Sequence, residues 1–153
     1  MSTSSTVAEI LADKAKQPHR KGVYSVTPDV NVADAIALMA ENAISSVLVI
    51  DGGKMVGLIT LKEILRGLHS QGAALLSARC GHIMKVNPPV TDPSDTVDHL
   101  RSLMTELHIT HVPVVKDDAL VGIVSFHDIA RSAIKDADFE NKLLKQYIKN
   151  WPE

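Results

Sequence analysis

What this chain has little of narrows its reading before any motif is considered. One cysteine, Cys80, stands among 153 residues, so no intrachain disulfide can form, and a reducing, cytoplasmic setting is the simpler expectation. Aromatic residues make up only 3%, which leaves few stacking platforms for single-stranded nucleic acid. A net charge of −2 at pH 7 supplies no electrostatic grip on nucleic acid or an anionic membrane, and the basic stretch at 14–21 is too short to reverse that. No apolar run approaches the roughly 20 residues of a spanning helix. The opening MSTSSTVAEILADKAKQ has no basic leader followed by an apolar block, so neither a membrane nor an export signal is expected. Catalytic signatures are missing too: there is no Gly-x-Ser-x-Gly and no Gly-x-x-x-x-Gly-Lys-Ser/Thr loop. Seven histidines are present, yet only Cys-Gly-His at 80–82 is closely spaced, and no second ligand pair follows at a zinc-like interval. No metal site, no required cofactor and no enzyme activity are expected.

What is there is a repetition. Val-Gly-Leu-Ile-Thr at 56–60 returns as Val-Gly-Ile-Val-Ser at 121–125, an offset of 65. The first copy opens with Val32, Ala35, Ile36, Met39, Ala40 and Ala43 at helical steps, with Asn31 placed to cap them. A β-branched run follows, then the turn Asp-Gly-Gly-Lys, then a second apolar run, which together predict a hairpin. Leu61, Ile64, Leu65 and Leu68 restore helical spacing. Shifted by 65 without a gap, Val32 falls on Val97, Met39 on Met104, Ile44 on Ile109, Val49 on Val114 and Ile64 on Ile129. The coincidences lie at core positions while turn residues differ, as packing of a duplicated unit requires, and both methionines are assigned to the core. The predicted fold is α/β of the α+β type: two helix-strand-strand-helix repeats that cover each other, with extra helices at both ends. The expected divisions are an N-terminal helix and lead-in at 1–21, a first repeat at 22–69, a connector at 70–84, a second repeat at 85–134 and a C-terminal helix at 135–153. The outer helices are expected at 7–17 and 138–149, the latter with Phe139, Leu143 and Tyr147 on one stripe beside Leu144 and Ile148.

Thr-Leu-Lys-Glu at 60–63 and Ser-Phe-His-Asp at 125–128, each after an apolar strand and opening a helix, together with His-Val-Pro-Val-Val at 111–115, give a pattern that resembles a tandem pair of CBS (cystathionine β-synthase) domains, the Bateman module, in its small stand-alone bacterial form. The resemblance covers about 22–133. It implies adenine-nucleotide binding in clefts between the copies and a disc-like homodimer. It thus implies a regulatory, ligand-sensing module that takes AMP, or ADP, ATP or NAD, and alters the state of an unidentified regulated protein. The alternative is a ligand-free homo-oligomeric interaction scaffold.

The residues can do that chemistry. A carboxylate can accept from both hydroxyls of a ribose diol through charge-assisted bonds, a role expected of Asp128. Ser125, in the first helical turn, can meet ribose or phosphate. Val112 and Pro113 are expected to edge the base, residues 85–89 to complete its slot, and His111 and His127 to meet the phosphate. Lys62 is the repeat equivalent of His127, and Arg131, equivalent to Arg66, is a further phosphate or cross-dimer candidate. Ser-x-x-Asp and Thr-x-x-Glu are also capping boxes. Because glutamate has the longer reach and the family's usual residue is aspartate, Thr60 and Glu63 are expected to act chiefly as a cap, with ribose contact as their lesser role, and Ser125 and Asp128 as the ligand site.

Overall fold

The computed structural model describes residues 5–17 and 22–149, the side chains at 136, 138–140, 143 and 146–149 excepted. In chain order the elements are α1 (Val7–Ala15), β1 (Ser25–Val26), α2 (Val32–Glu41), β2 (Ser46–Asp51), β3 (Lys54–Thr60), α3 (Leu61–Gln71), a 3₁₀ turn (Gly72–Ser77), α4 (Cys80–Ile83), β4 (Lys85–Val86), α5 (Val97–Leu107), β5 (His111–Lys116), β6 (Ala119–Ser125) and α6 (Phe126–Lys149). They divide into two compact units, one of Lys21–Val90 with Val115–Gly122, the other of Met1–Arg20, Thr91–Val114 and Ile123–Glu153. No helix among the described residues is long and apolar enough to cross a membrane.

The first-repeat unit holds a four-stranded sheet in the order β1-β2-β3-β4. β1 runs parallel to β2, and the other neighbours are antiparallel. The β2–β3 turn places Gly52 and Gly53 at φ +58° and +80°, the left-handed pair that a two-residue hairpin demands. In the second repeat Asp117 and Asp118 adopt φ +50° and +64° without glycine, since a short carboxylate side chain tolerates that region. Val32, Ala35, Met39, Val47, Val49, Ile59, Leu75 and Cys80 form the core of this unit. Its counterpart contains Val7, Ile10, Leu100, Met104, Val112, Val114, Val124 and Ile129, so Met39 and Met104 are both core residues, as the helical spacing predicts.

The two segments outside the repeats prove to be a second duplication, at an offset of 73. Val7 N–H donates to Asp95 O and Ala8 N–H to Pro93 O, while Val97 N–H donates to Ser5 O. Likewise Cys80 N–H donates to Val30 O and Gly81 N–H to Pro28 O, while Val32 N–H donates to Ala78 O. The lead-in, which precedes the first repeat, therefore fastens to the second, and the connector fastens to the first.

Three sequence expectations change. Asn31 stands at the N-cap of α2 but makes no side-chain cap bond, while the Val32 amide, which a cap side chain does not serve, is met by Ala78 O at 2.8 Å. At the equivalent position Thr96 does cap α5, accepting from His99 N–H at 3.1 Å. Helix α3 does not bury its leucine stripe: Leu61, Leu65 and Leu68 are 61%, 69% and 46% exposed. It docks through Glu63 and Gly67, with Ile64 partly buried against the core; a Cβ on Gly67 would come within 2.5 Å of Leu75 Cδ1, and this turns the leucines outward. Finally, α6 runs unbroken through the expected boundary at 134/135. Gly72 ends α3 at φ +57°, whereas the residue 65 positions later is Ala137, a good helix former. The expected stripe of Phe139, Leu143, Tyr147 and Ile148 lies outside the described side chains; Leu144 is exposed.

Candidate functional site

Each repeat passes from its last strand into its last helix through a hydroxyl and a carboxylate. Glu63 Oε1 accepts from Thr60 N–H and Thr60 Oγ1, both at 2.7 Å, and Thr60 Oγ1 accepts from Lys62 N–H at 3.3 Å. Asp128 Oδ2 accepts from Ser125 N–H at 2.8 Å and Ser125 Oγ at 3.0 Å, and Ser125 Oγ accepts from Asp128 N–H at 3.2 Å. Both pairs are therefore reciprocal caps. The shorter aspartate reaches back as completely as the glutamate, so hydrogen bonding does not separate a cap in one repeat from a ligand group in the other.

The separation comes from α1. Its Lys14 Nζ lies 2.9 Å from Asp128 Oδ2 and donates to Ile123 O at 2.6 Å. The Asp128 side chain is 3% exposed and that of Lys14 16%. Burial pushes the Asp128 carboxyl up, but the Lys14 ammonium and the Ser125 donors outweigh it and hold the group below its ordinary value, so it is ionised at neutral pH. At the rim, Asp13 pairs with Lys135 at 2.7 Å and Arg131 at 3.8 Å, and the Lys135 hydrogen bond holds Asp13 low as well.

Beside each carboxylate lies a hollow. That of the second repeat, about 170 Å³, is lined by Asp128, Arg131, Ser132 and Lys135 across from Glu9, Ile10, Asp13 and Lys14. That of the first, about 310 Å³, is lined by Glu63, Arg66, Gly67 and Ser70 across from His82, Ile83, Met84 and Lys85. The helix positions correspond at offset 65, and Glu9 and Ile10 correspond to His82 and Ile83 at offset 73. They are one feature built twice.

Of the expected site residues, the second-repeat hollow brings together Asp128 and Arg131. Ser125 sits behind the carboxylate as its cap. His111 is half-buried at the head of β5, its Nδ1 2.8 Å from Thr110 Oγ1. Val112 belongs to the core and is wholly buried. Pro113 is buried, and its carbonyl accepts from Thr91 N–H at 3.0 Å. Thr60 and Glu63 are buried, and Lys62 and His127 exposed. Sequence reasoning missed Lys14, Asp13 and Lys135, which meet across more than 100 residues, and neither offset carries a signal for them: Asp13 and Lys14 fall on Val86 and Asn87, and Lys135 on Ser70.

Fold and site together define a tandem-repeat α/β module in which each copy carries a capped carboxylate above a hollow. The CBS domain model matches residues 18–70 and 80–135, and the chain belongs to the CBS-domain family. It is similar to the mitochondrial CBS domain-containing protein CBSX3 of Arabidopsis thaliana, 30% identical over 150 residues that span 95% of this chain and 72% of that one. Among solved structures it is similar to a putative signal-transduction protein with CBS domains from Burkholderia ambifaria, with a TM-score of 0.78 and 36% identity over 86% of this chain and 96% of that one. It is also similar to the CBS domain pair of protein MJ0100, crystallised with 5′-methylthioadenosine and S-adenosyl-L-methionine, with a TM-score of 0.73 and 26% identity over 86% and 98% of the two chains.

Proposed function

We propose that the chain is a non-enzymatic regulatory module that binds an adenine nucleotide, AMP first and ADP, ATP or NAD as alternatives, and alters the state of a partner protein in the cytoplasm. The observation that carries this reading is Asp128: a carboxylate almost wholly withdrawn from water, kept ionised, and lining a hollow whose other charged groups include Arg131, Lys135 and Lys14. Glu9 and Asp13 share the lining, so the hollow is mixed in charge rather than purely cationic: the buried Asp128 carboxylate suits a sugar diol, and Arg131 beside it suits an anion. The MJ0100 domain pair, crystallised with two adenosine compounds, supports the adenosine part. In this reading Asp128 takes the ribose, Ser125 keeps it aimed, and Arg131, His111 and His127 serve the phosphate. Val112 and Pro113, buried in β5 as they stand, edge the base once nucleotide opens a slot beside them. Thr60, Lys62 and Glu63 offer the equivalent, lesser position in the first repeat. Binding changes a partner's behaviour only through a difference in affinity between two states of the module.

The chain is further proposed to form a homodimer through the outward leucines of α3, an apolar face that a monomer has no use for. A second reading, a ligand-free oligomeric scaffold, draws on the fact that both capping boxes are complete without a ligand. Mass spectrometry of small molecules released from the purified protein by denaturation separates the two. An adenine nucleotide near stoichiometry supports the sensor, and its absence, together with no binding of added nucleotide, supports the scaffold.

A further inference from the structure

The two hollows descend from one design, yet α1 treats its hollow differently from the way α4 treats the other. In the first repeat the connector leaves its helix at Ile83 and becomes β4, whose backbone pairs with the exposed edge of β3 at Gly57 and Leu58. Glu63 there meets only its own cap among the bonds its Oε1 makes. In the second repeat the corresponding lead-in stays helical to Ala15. Its Lys14 ammonium takes the place of the missing strand at Ile123 O, the residue equivalent to Leu58. The same ammonium also lands on the carboxylate. The first hollow is within the size range of small-ligand sites and the second falls below it.

We propose that the C-terminal half of α1 is a built-in latch, with Lys14 acting as a tethered competitor for the Asp128 carboxylate, so that ligand binding in the second-repeat hollow requires this half-helix to let go. The inference rests on the functional reading above. A ribose diol needs acceptor positions on the carboxylate, and Oδ2 already receives Ser125 N–H, Ser125 Oγ and Lys14 Nζ. The Ser125 amide is backbone at the junction of β6 and α6, with its hydroxyl beside it, and cannot leave. Lys14 can, because its half of the helix is held mainly by polar contacts. Val7 and Ile10 anchor the first half in the core, and the backbone bonds to Pro93 and Asp95 hold it there. Among the described residues, the second half is held by the partly buried Leu11, the Lys14 contacts, the half-buried Gln17, and the surface pairs of Asp13 with Lys135 and Arg131, which water and salt screen. Release of residues 11–17 is then the signal that reports occupancy.

Calorimetric titration of the full chain with AMP tests this, with wild type, Lys14→Met and the exposed-pin variant Asp13→Asn compared. Removing the competitor is expected to tighten binding roughly tenfold for Lys14→Met, and severing the pin to tighten it by a smaller factor in a variant whose core is untouched. Amide hydrogen exchange over residues 11–17 is expected to speed up when wild type binds AMP. Binding to wild type that is unchanged or weaker in both variants, with exchange over 11–17 unaltered, overturns the latch alone. No binding of AMP, ADP, ATP, NAD or S-adenosylmethionine by any of the three proteins overturns the functional reading, and the latch with it.

Discussion

Val7 and Cys80 occupy the same structural position in two copies of one segment. The Val7 amide donates to Asp95 O at 2.9 Å and the Cys80 amide to Val30 O at 2.8 Å, acceptors 65 residues apart in the chain, and both side chains are fully buried. The lone cysteine is thus a packing residue beneath α2.

Its chemistry follows from that position. Burial, with the Asp34 charge in second place, pushes the Cys80 thiol up, so little thiolate forms at neutral pH. The folded protein is expected to resist a disulfide reagent that labels it at once in denaturant. Cys80→Val, which installs the residue used at the equivalent position, is expected to cost under about 1.5 kcal/mol in urea unfolding. Cys80→Ser buries an extra polar group and is expected to cost about 1–3 kcal/mol.

Asp128 ties stability to pH. Its folded-state carboxyl lies below the ordinary 3.8, so its contribution is fully present above about pH 4 and is lost as pH falls through the depressed folded value. Urea unfolding at pH 7 and at pH 3 is expected to show a loss on acidification that is smaller in Asp128→Asn, because the amide has no proton to take up there. An equal loss in the two proteins would assign the acid sensitivity to other carboxylates.

Much of this architecture can be read from the sequence, and the reasons for the rest are physical. The 65-residue offset shows itself because core positions such as Val49 and Val114, or Met39 and Met104, admit few alternatives. The duplication of the outer segments does not, because its bonds are made by backbone: Ser5, Thr6, Val7 and Ala8 share no side chain with Ala78, Arg79, Cys80 and Gly81, and need share none. The leucines of α3 have the spacing of a buried face, yet a glycine and a capped glutamate dock beside Ile64, the one apolar residue of that set packed against the core. Thr60 and Ser125 are legible as caps from local spacing alone. Lys14, which sets their partners apart, is not, because no local rule links residue 14 to residue 128.

Gly72 and Ala137 show the same logic at a helix end. The φ of +57° and ψ of −138° at Gly72 belong to a region that residues with a side chain avoid, although nothing crowds a Cβ there. Gly72→Ala is expected to cost about 1–3 kcal/mol, and Ala137→Gly, in the exposed interior of α6, about 1 kcal/mol, both read by thermal unfolding. A neutral Gly72→Ala would mean that α3 can end in another way.

The outward face of α3 carries the proposed dimer. Sedimentation of wild type is expected to give a two-chain species, and Leu65→Glu, placed at the most exposed of the three leucines, to shift it towards monomer at micromolar concentration while leaving circular dichroism unchanged. A wild-type monomer, or a dimer indifferent to the charge, would remove this face from the assembly.

The claim that Asp128 receives an adenine nucleotide is tested most directly by thermal unfolding with and without AMP. Ligand at about 100 times its dissociation constant adds about 2.7 kcal/mol, which for a chain of this size raises Tm by roughly 5–10 °C. The account predicts that rise in wild type and its disappearance in Asp128→Asn; a rise of equal size in both proteins, or none in wild type with any adenine nucleotide, would contradict it.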